Sequence, residues 1–305
     1  MSNAHPGAAT VIGIDFGATF IKAAAVTPEG RVVRRRRIPT VGSKGPDGLL
    51  DDLARLVDTL GKNQPIEGVG IGFCGMVDVT RQVVRYTTDT LPGWENVPLA
   101  EGLRDRCGLP CVCDNDGNVA ALGEFLVGAG VGTKSMVLFT LGTGVGGGVV
   151  VDGQLLQGAS DTAGHLGHLK VRAGGRRCPC GARGCLEAYA SAWAFRRAMH
   201  AEPPEVFRLA RAGDEQAESV VRKAAWALGR AFADIACTIN PEMIVIGGGM
   251  ARSWAMLKKE AMIAFAQNAL RGATQATTVQ RTKLGNDAGV IGAALRVLGL
   301  PRDVL

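Results

Sequence analysis

Three glycine-rich turns, each placed at the end of a short apolar segment, constrain this chain more than any other feature of its sequence. Asp15-Phe16-Gly17-Ala18-Thr19 ends the apolar run Thr10–Asp15. Leu141–Gly148 contains five glycines between two apolar runs, and Gly247-Gly248-Gly249 follows the run Met243–Ile246. Short apolar runs bounded by glycine predict buried strands. A chain that repeatedly turns its backbone at strand ends is typical of an α/β protein that holds a ligand close to its main chain.

The backbone N–H groups of such turns can receive phosphate oxygens, and an acid at a strand end can hold Mg²⁺ through water. None of the three turns has the Lys-Ser/Thr of a Walker loop or the G-x-G-x-x-G of a dinucleotide fold. A single turn of this kind is more typical of a plain hairpin, but three in one chain predict a nucleotide site. The residues predicted to bind ATP and Mg²⁺ are Asp15, Gly17, Ala18, Thr19, Lys22, Gly142, Thr143, Gly144, Gly247, Gly248 and Gly249.

Composition excludes several other classes of protein. Glycine supplies 43 of 305 residues, about twice its usual share, but no G-X-Y period is present, which excludes collagen. Hydrophobic residues make up 47% of the chain, which excludes a disordered protein. The net charge of +6 suits an anionic ligand without requiring nucleic acid. The run Arg34–Arg37 has no interleaved aromatic residues, so we interpret it as a charged edge strand rather than a nucleic-acid patch.

Hydrophobic periodicity predicts a strand-rich first part and a helix-rich second part. Each predicted strand is a short apolar run, and each predicted helix has apolar residues at helical spacing. Predicted strands are Thr10–Asp15, Phe20–Val26, Arg31–Ile38, Val69–Phe73, Pro110–Cys113, Met136–Thr140, Val145–Val151 and Met243–Ile246. Predicted helices are Asp47–Leu60, Asp116–Leu126, Gln216–Ile239, one opening at the 247–249 turn, and Gly289–Leu298.

The N-terminal residues, the longest uncharged segment and the cysteines indicate which cellular compartment to expect. Met1–Thr10 has no Lys or Arg and no long apolar run, so we expect no signal peptide. Ser135–Val151 is too short and too broken by glycine to span a bilayer, so we expect a soluble cytoplasmic protein without a membrane partner. Disulfides are rare in that compartment. Five cysteines are therefore expected to be buried core thiols: Cys74, Cys107, Cys111, Cys113 and Cys237.

The other three cysteines form a cluster, Cys178-Pro-Cys180-Gly-Ala-Arg-Gly-Cys185, and His168 lies ten residues before it. One imidazole and three thiolates match a closed tetrahedral zinc site of the structural kind. The spacing alone leaves reactive or unligated thiols as alternatives.

An acidic segment, Asp114–Asn118, follows a short predicted strand and opens a helix. Asn and Asp are common helix caps, which is one interpretation. The other is a general base, because phosphoryl transfer to a hydroxyl needs a carboxylate that orients the nucleophile and accepts its proton.

Together these motifs resemble the sugar kinase–Hsp70–actin superfamily and, within it, the ROK family of repressors and kinases. The resemblance covers nearly the whole chain and is most specific in residues 158–191, followed by Leu91-Pro92-Gly93-Trp94. It implies a two-lobed actin-like ATPase fold of the ribonuclease H type. The expected lobes are residues 1–115 with 290–305, and residues 116–289 with the zinc loop. It also implies an ATP-dependent hexose kinase using Mg²⁺ and structural Zn²⁺, acting on the 6-OH of a glucose-like sugar, as a homodimer without nucleic acid.

The resemblance also implies roles for individual residues. Asn115 and Asp116 would bind the sugar, with Asp116 as the general base and Asp114 behind it. His168 would bind zinc through one ring nitrogen and face the sugar with the other, and Glu187 would bind sugar hydroxyls. We add Gly75 and His165 to the expected substrate-binding residues, which are therefore Gly75, Asn115, Asp116, His165, His168 and Glu187.

One position departs from the family pattern. His165 stands where the family's Gly-Glu-x-Gly-His segment has a sugar-binding glutamate. A neutral imidazole offers one donor and one acceptor, whereas a carboxylate accepts several hydrogen bonds. An N-acetylmannosamine kinase is therefore an alternative to a glucose kinase.

Two classes of protein other than kinases, a sugar-sensing regulator and an actin-type scaffold or ATPase, are further interpretations of these motifs. The family includes sugar-sensing repressors, but only 14 residues precede Asp15, too few for a helix-turn-helix domain. A sugar-sensing regulator without a DNA-binding domain is the second alternative. An actin-type scaffold or ATPase is disfavoured by the cysteine cluster and the Asn115-Asp116 pair.

Overall fold

The computed structural model describes residues 10–87 and 91–299, which form two compact units. Within these residues the first unit runs to Val131 and adds Gly153–Ala163 and the chain from Asp287 onward. The second unit is Gly132–Asp152 with Gly164–Asn286. This division differs from the predicted lobe boundary at 115/116. Residues 1–9, on which the signal-peptide expectation rests, and 300–305 lie outside the described residues.

Strands within the described residues, in chain order, are β1 (Thr10–Phe16), β2 (Phe20–Val26), β3 (Val32–Pro39), β4 (Ile66–Phe73), β5 (Gly75–Asp78), β6 (Val83–Thr87), β7 (Cys111–Asn115), β8 (Met136–Leu141), β9 (Val145–Val151), β10 (Gln154–Leu155), β11 (Met243–Gly247) and β12 (Thr278–Arg281).

The α-helices are α1 (Gly45–Gly61), α2 (Leu99–Cys107), α3 (Asp116–Val127), α4 (Glu187–Ala190), α5 (Ala192–Met199), α6 (Pro203–Arg211), α7 (Glu215–Thr238), α8 (Trp254–Asn268), α9 (Arg271–Ala276) and α10 (Ala288–Val297). Both units therefore combine strands and helices, and the predicted α/β class is confirmed.

The main sheet of the first unit has the strand order β3-β2-β1-β4-β7. β1 is antiparallel to β2 and parallel to β4, and β4 is parallel to β7. Three parallel strands thus end at one edge, where Asp15 pairs in register with Gly72, and Phe73 with Asn115. β3 is at the opposite side of the sheet, which agrees with the interpretation of Arg34–Arg37 as a charged edge strand.

The two faces of this sheet are covered differently. Alternate β1 residues Ile12, Ile14 and Phe16 are buried with the apolar face of α1. On the other face the backbone of α10 lies against glycines: a Cβ at Gly13 would be 1.7 Å from Val290 O, and one at Gly70 would be 1.8 Å from Ala293 O. Any side chain at either position would push α10 away from the sheet.

The second unit is built on a sheet with the order β9-β8-β11-β12. β8 is antiparallel to β9, and β11 is parallel to both β8 and β12. The 142–144 turn joins β8 to β9, and Gly247 at the end of β11 pairs with Thr140 of β8. Two of the predicted phosphate turns therefore share one edge of this sheet. Phe232 of α7 packs on Phe139 of β8 with ring centroids 5.4 Å apart.

The structure corrects three expectations. Cys237 is exposed on the last turn of α7, so it is not a core thiol, and Cys74, Cys107 and Cys111 are only partly buried. The 247–249 turn does not open an α-helix directly, because a 3₁₀ segment, Gly249–Ser253, precedes α8. The β5–β6 hairpin and α2 were not predicted. Among the described residues, no helix combines the length and hydropathy that crossing a membrane requires.

Candidate active site

The β1–β2 turn holds a carboxylate and an ammonium group together. Asp15 and Lys22 face each other across the hairpin, and Lys22 Nζ lies 2.7 Å from Asp15 Oδ2. The N–H of Gly17 donates to Phe20 O at 3.2 Å, so the hairpin itself uses that predicted phosphate donor. Ala18 and Thr19 are exposed at the tip of the turn. The turn therefore presents a charged pair beside an open backbone segment.

Asp116, the first residue of α3, is a carboxylate with a raised pKa. Its side chain is half-buried, and Oδ1 accepts a hydrogen bond from the N–H of Gly117 at 2.8 Å. Burial, followed by the negative charge of Asp15, raises the pKa of Asp116 to about 7. A carboxylate with a pKa near the working pH is suited to accept a proton and later release it.

Asn115 fixes the position of Asp116. Its Oδ1 accepts from the N–H groups of Gly117 at 2.8 Å and Asn118 at 3.3 Å, which makes Asn115 the helix cap. Its Nδ2 donates to Gly75 O at 2.9 Å. Gly75 leaves no room for a side chain, since a Cβ there would lie 2.5 Å from Tyr86 O. The capping and binding interpretations are thus compatible, because the second N–H of the Asn115 amide is left for a ligand.

Asp114 is buried and fully engaged by neighbouring side chains. Asn118 Nδ2 lies 3.0 Å from Oδ1, while Gln157 Nε2 at 2.9 Å and Arg296 Nε at 3.4 Å approach Oδ2. Asp114 therefore supports the strand end, and Asp116 is the carboxylate that remains available for chemistry. Sequence reasoning missed Gln157 and Arg296, because they come from segments far away in the chain.

Two further residues near this strand edge were not singled out as site residues. Burial raises the pKa of the Cys74 thiol, and the charges of Asp116 and Asp15 add to the effect. The thiol is therefore held neutral beside the two carboxylates. Gly289 of α10 lies close to Asp15, and a Cβ there would be 3.1 Å from the Asp15 carboxyl carbon.

In the second unit, the predicted phosphate turns pack on each other. Gly248 has φ +82°, and a Cβ there would lie 2.4 Å from Leu141 O. Gly142 and Gly249, by contrast, have open space where a Cβ would be, with nothing within 4 Å. The N–H groups of Ala192 and Trp193 donate to Gly142 O at 2.9 Å and Thr143 O at 3.2 Å, which ties the first turn of α5 to the 142–144 turn.

The cysteine cluster has the geometry of a metal centre. The ligand atoms of His168, Cys178, Cys180 and Cys185 all lie within 4.8 Å of one another. Cys180 and Cys185 sulfurs are 3.7 Å apart, and Cys178 Sγ is 3.9 Å from His168 Nδ1. Tetrahedral zinc with Zn–S bonds of about 2.3 Å requires sulfurs about 3.8 Å apart. The four residues therefore fit Zn²⁺, and Nε2 of His168 is left for another partner.

Lys170 completes the surroundings of this cluster. Its Nζ lies 2.8 Å from Cys185 Sγ. Three thiolates around one Zn²⁺ carry a net negative charge, and a nearby ammonium group offsets it.

Glu187 connects the cysteine cluster to the phosphate turn. Its Oε2 accepts from the N–H of Val145 at 2.9 Å, and Oε1 lies 3.7 Å from Cys178 Sγ. A Cβ at Gly144 would lie 2.4 Å from Oε2, so a larger residue there would displace the Glu187 carboxylate. This link between the two loops was not predicted from the sequence.

His165 is half-buried and stacks on His168 with ring centroids 6.5 Å apart. Burial, followed by the neighbouring His168, lowers the pKa of His165. The imidazole is therefore neutral at pH 7 and offers one donor and one acceptor.

The predicted site residues thus form two groups, each within its own unit. The first comprises Asp15, Gly17, Ala18, Thr19, Lys22, Gly75, Asn115 and Asp116. The second comprises Gly142, Thr143, Gly144, His165, His168, Cys178, Cys180, Cys185, Glu187, Gly247, Gly248 and Gly249.

Comparison with known proteins identifies the family. Residues 11–299 match the model of the ROK family. A glucokinase of Halalkalibacterium halodurans is 37% identical to this chain, and the match covers 92% of each of the two chains. An N-acetylmannosamine kinase of Citrobacter koseri is 35% identical, and that match covers 95% of this chain and 99% of the relative. The structure of a ROK family glucokinase from Streptomyces griseus in complex with glucose and AMPPNP is similar, with a TM-score of 0.80, 32% identity and coverage of 93% of this chain and 98% of that one. The chain therefore belongs to the ROK family.

Proposed function

We propose that Asp116 is the general base of this ATP-dependent hexose kinase. The Asp116 carboxylate accepts the proton of a sugar hydroxyl, which we propose to be the 6-OH. The hydroxyl oxygen then forms a bond to the γ-phosphorus of ATP while the bond to the β-phosphate oxygen breaks and ADP leaves. The observation that carries this assignment is the position of Asp116 at the start of α3, where burial and the charge of Asp15 raise its pKa to about 7 while the neighbouring Asp114 is held by Gln157 and Arg296.

Asn115 and Gly75 support that role. Asn115 holds the start of α3 through its cap and through Gly75 O, which fixes the Asp116 carboxylate, and its free amide N–H would donate to the sugar. His165, His168 and Glu187 are proposed to bind sugar hydroxyls. In the metal-bound protein, Glu187 would have to share its carboxylate between Val145 N–H and the sugar.

The remaining predicted residues are proposed to bind ATP and its metal. Gly142, Thr143, Gly144 and Gly247–Gly249 are proposed to contact the nucleotide, and open space at Gly142 and Gly249 is compatible with a phosphate approaching their backbone. Asp15, with Lys22, Gly17, Ala18 and Thr19 around it, would hold Mg²⁺ through water. Mg²⁺ in such a site neutralises charge on the phosphates during transfer.

We also propose that His168, Cys178, Cys180 and Cys185 bind structural Zn²⁺, which would fix the loop carrying His165 and Glu187. Metal analysis of purified protein tests this directly. A cytoplasmic homodimer is the expected state of the protein, and sedimentation equilibrium tests the dimer.

A glucose-like hexose is the proposed substrate, and the glucokinases among the relatives support it. The second candidate is N-acetylmannosamine, favoured by His165 and by relatives of that name. The neutral His165 can donate one hydrogen bond to a carbonyl such as that of an N-acetyl group, which a carboxylate cannot do.

The experiment is a coupled assay of ADP release with ATP, Mg²⁺ and separate sugars: glucose, mannose, fructose, allose, N-acetylglucosamine and N-acetylmannosamine. We expect kcat/KM to be highest for glucose, and His165→Glu to leave glucose as the preferred sugar. A preference for N-acetylmannosamine that His165→Glu reverses would establish the second candidate. ADP release that is independent of sugar would contradict both.

A further inference from the structure

The cysteine loop, α4 and α5 line a cationic cavity that contains none of the residues proposed above for the kinase reaction. The cavity has a volume of about 400 Å³ and is lined by Arg176, Arg177, Arg183, Arg197 and Trp193, together with alanines of α4 and α5. All of these residues belong to the second unit. A concave space of this size is large enough for a small-molecule ligand.

Within residues 10–87 and 91–299, no carboxylate forms an ion pair with the four guanidinium groups. None of the described residues that line the cavity is acidic. In the described part of the chain, no ion pair joins any of these four arginines to a carboxylate, whereas Arg196 and Arg208 nearby on α5 and α6 are paired with Glu202 and Glu205. Like charges gathered in a concave surface raise the local positive potential and attract anions.

Two of these arginines, Arg176 and Arg197, pack their guanidinium groups on aromatic rings. Arg176 lies over the ring of Tyr189, 4.9 Å from its centroid, and donates from Nη1 to Ala188 O at 3.3 Å. Arg197 lies over the ring of Trp193 at 5.3 Å. Arg177 and Arg183 face each other across an antiparallel β-bridge. Fixed guanidinium groups lose less conformational entropy when they bind phosphate oxygens.

From this geometry we propose that the cavity is a binding site for a multiply charged phosphate anion, with a linear chain of three or more phosphates as the ligand. Each guanidinium group carries five N–H donors, so four of them offer more donors than the four oxygens of a single orthophosphate can accept. A linear chain spreads its negative charges over the whole cavity. The site goes beyond the kinase function proposed above and does not depend on it.

The test is binding of tripolyphosphate to the full-length, zinc-containing protein, in about 0.1 M salt so that weak surface binding is screened. Isothermal calorimetry gives affinity and stoichiometry, and tryptophan fluorescence reports on Trp193. Orthophosphate and glucose 6-phosphate are the comparison ligands. A saturating non-hydrolysable ATP analogue with Mg²⁺ is present in a parallel series.

We expect one tripolyphosphate per chain, bound at least about tenfold more tightly than orthophosphate or glucose 6-phosphate. Arg197→Gln on α5 and Arg183→Gln in the zinc loop should each weaken binding about tenfold, while Arg222→Gln, an exposed arginine of α7, should change it less than about twofold. Trp193→Phe should abolish the fluorescence response, and Trp226→Phe should preserve it. Arg197→Gln lies outside the metal loop, so its effect is interpretable even if Arg183→Gln loses zinc.

Three outcomes would overturn the proposal. The first is equal affinity for orthophosphate and tripolyphosphate, or equal affinity in Arg197→Gln and Arg222→Gln. The second is loss of tripolyphosphate binding when the ATP analogue is present. The third is that Arg197→Gln weakens the binding of the ATP analogue as much as the binding of tripolyphosphate, which would assign the cavity to the nucleotide site.

Discussion

The raised pKa of Asp116 has a measurable cost in stability, which the variant Asp116→Asn should remove. The pKa rises from the ordinary value of 3.8 to about 7 in the folded protein. The folded state therefore favours the protonated carboxyl, and this contribution to stability is complete below pH 3.8 and is lost as the pH rises through 7. A shift of this size corresponds to about 4 kcal/mol, and water around the half-buried side chain reduces the expected effect to about 1–3 kcal/mol.

Thermal unfolding of wild type and Asp116→Asn between pH 5 and pH 8, without Mg²⁺ or nucleotide, measures this cost. The difference between the two unfolding temperatures should be smaller at pH 5, where only part of the contribution is lost, than at pH 8. At pH 8 the variant should unfold at a higher temperature, by about 2–6 °C. Asp58→Asn on α1, also an exchange of a carboxylate for an amide but at an exposed position, should show no such pH-dependent difference. At the same time the Asp116→Asn variant should lose about 10²–10⁴-fold in kcat, the usual contribution of a general base.

The reasoning would be refuted by a stability difference that is the same at every pH, or by a wild type that is more stable than Asp116→Asn at pH 8. The first result would mean that the variant acts through packing rather than charge. The second would mean that the ionised carboxylate is stabilised in the fold, contrary to the burial and to the neighbouring charge of Asp15.

Three further predictions can be checked in parallel. The acid limb of the pH profile of kcat/KM should reflect a group with a pKa near 7, because a protonated base cannot accept the sugar proton; a profile flat between pH 5.5 and pH 8 would contradict this. Cys180→Ser should lower the zinc content measured by mass spectrometry and the unfolding temperature, while Cys237→Ser should preserve both, since Cys237 is exposed and far from the cluster in sequence. Gly144→Ala should destabilise the protein by about 1 kcal/mol, because the new methyl group would displace the Glu187 carboxylate from its hydrogen bond with the Val145 N–H, whereas Gly142→Ala should keep wild-type stability; equal unfolding temperatures for the two variants would show that the carboxylate moves at no cost.

The local features of the fold could be predicted because their causes are local. Continuous apolar runs predict β1, β2 and β4 to within a few residues, since a buried strand needs apolar side chains on both faces. The proximity of His168 to the three cysteines could also be predicted, because all four residues come from one loop and its adjoining segment.

Other features depend on contacts between distant segments, and spacing does not reveal these. Gln157 and Arg296 reach Asp114 from 43 residues away and from α10, respectively. The exposure of Cys237 depends on which face of α7 is turned to solvent at its last turn. The β5–β6 hairpin has irregular pairing between Met76 and Val77, which weakens the alternating pattern that would otherwise reveal a strand.

The close approach of α10 to Gly13 and Gly70 has a consequence for the order of folding during synthesis. This helix is synthesised after the whole of the second unit, yet it covers strands that are synthesised before that unit. One face of the sheet in the first unit therefore stays uncovered until α10 has been synthesised. Every segment of the second unit, by contrast, is available for folding once Asn286 has emerged. A nascent chain that ends at Asp287 and is joined to the ribosome by a linker long enough to clear the exit tunnel should carry a protease-resistant second unit attached to a first unit that is still readily cleaved.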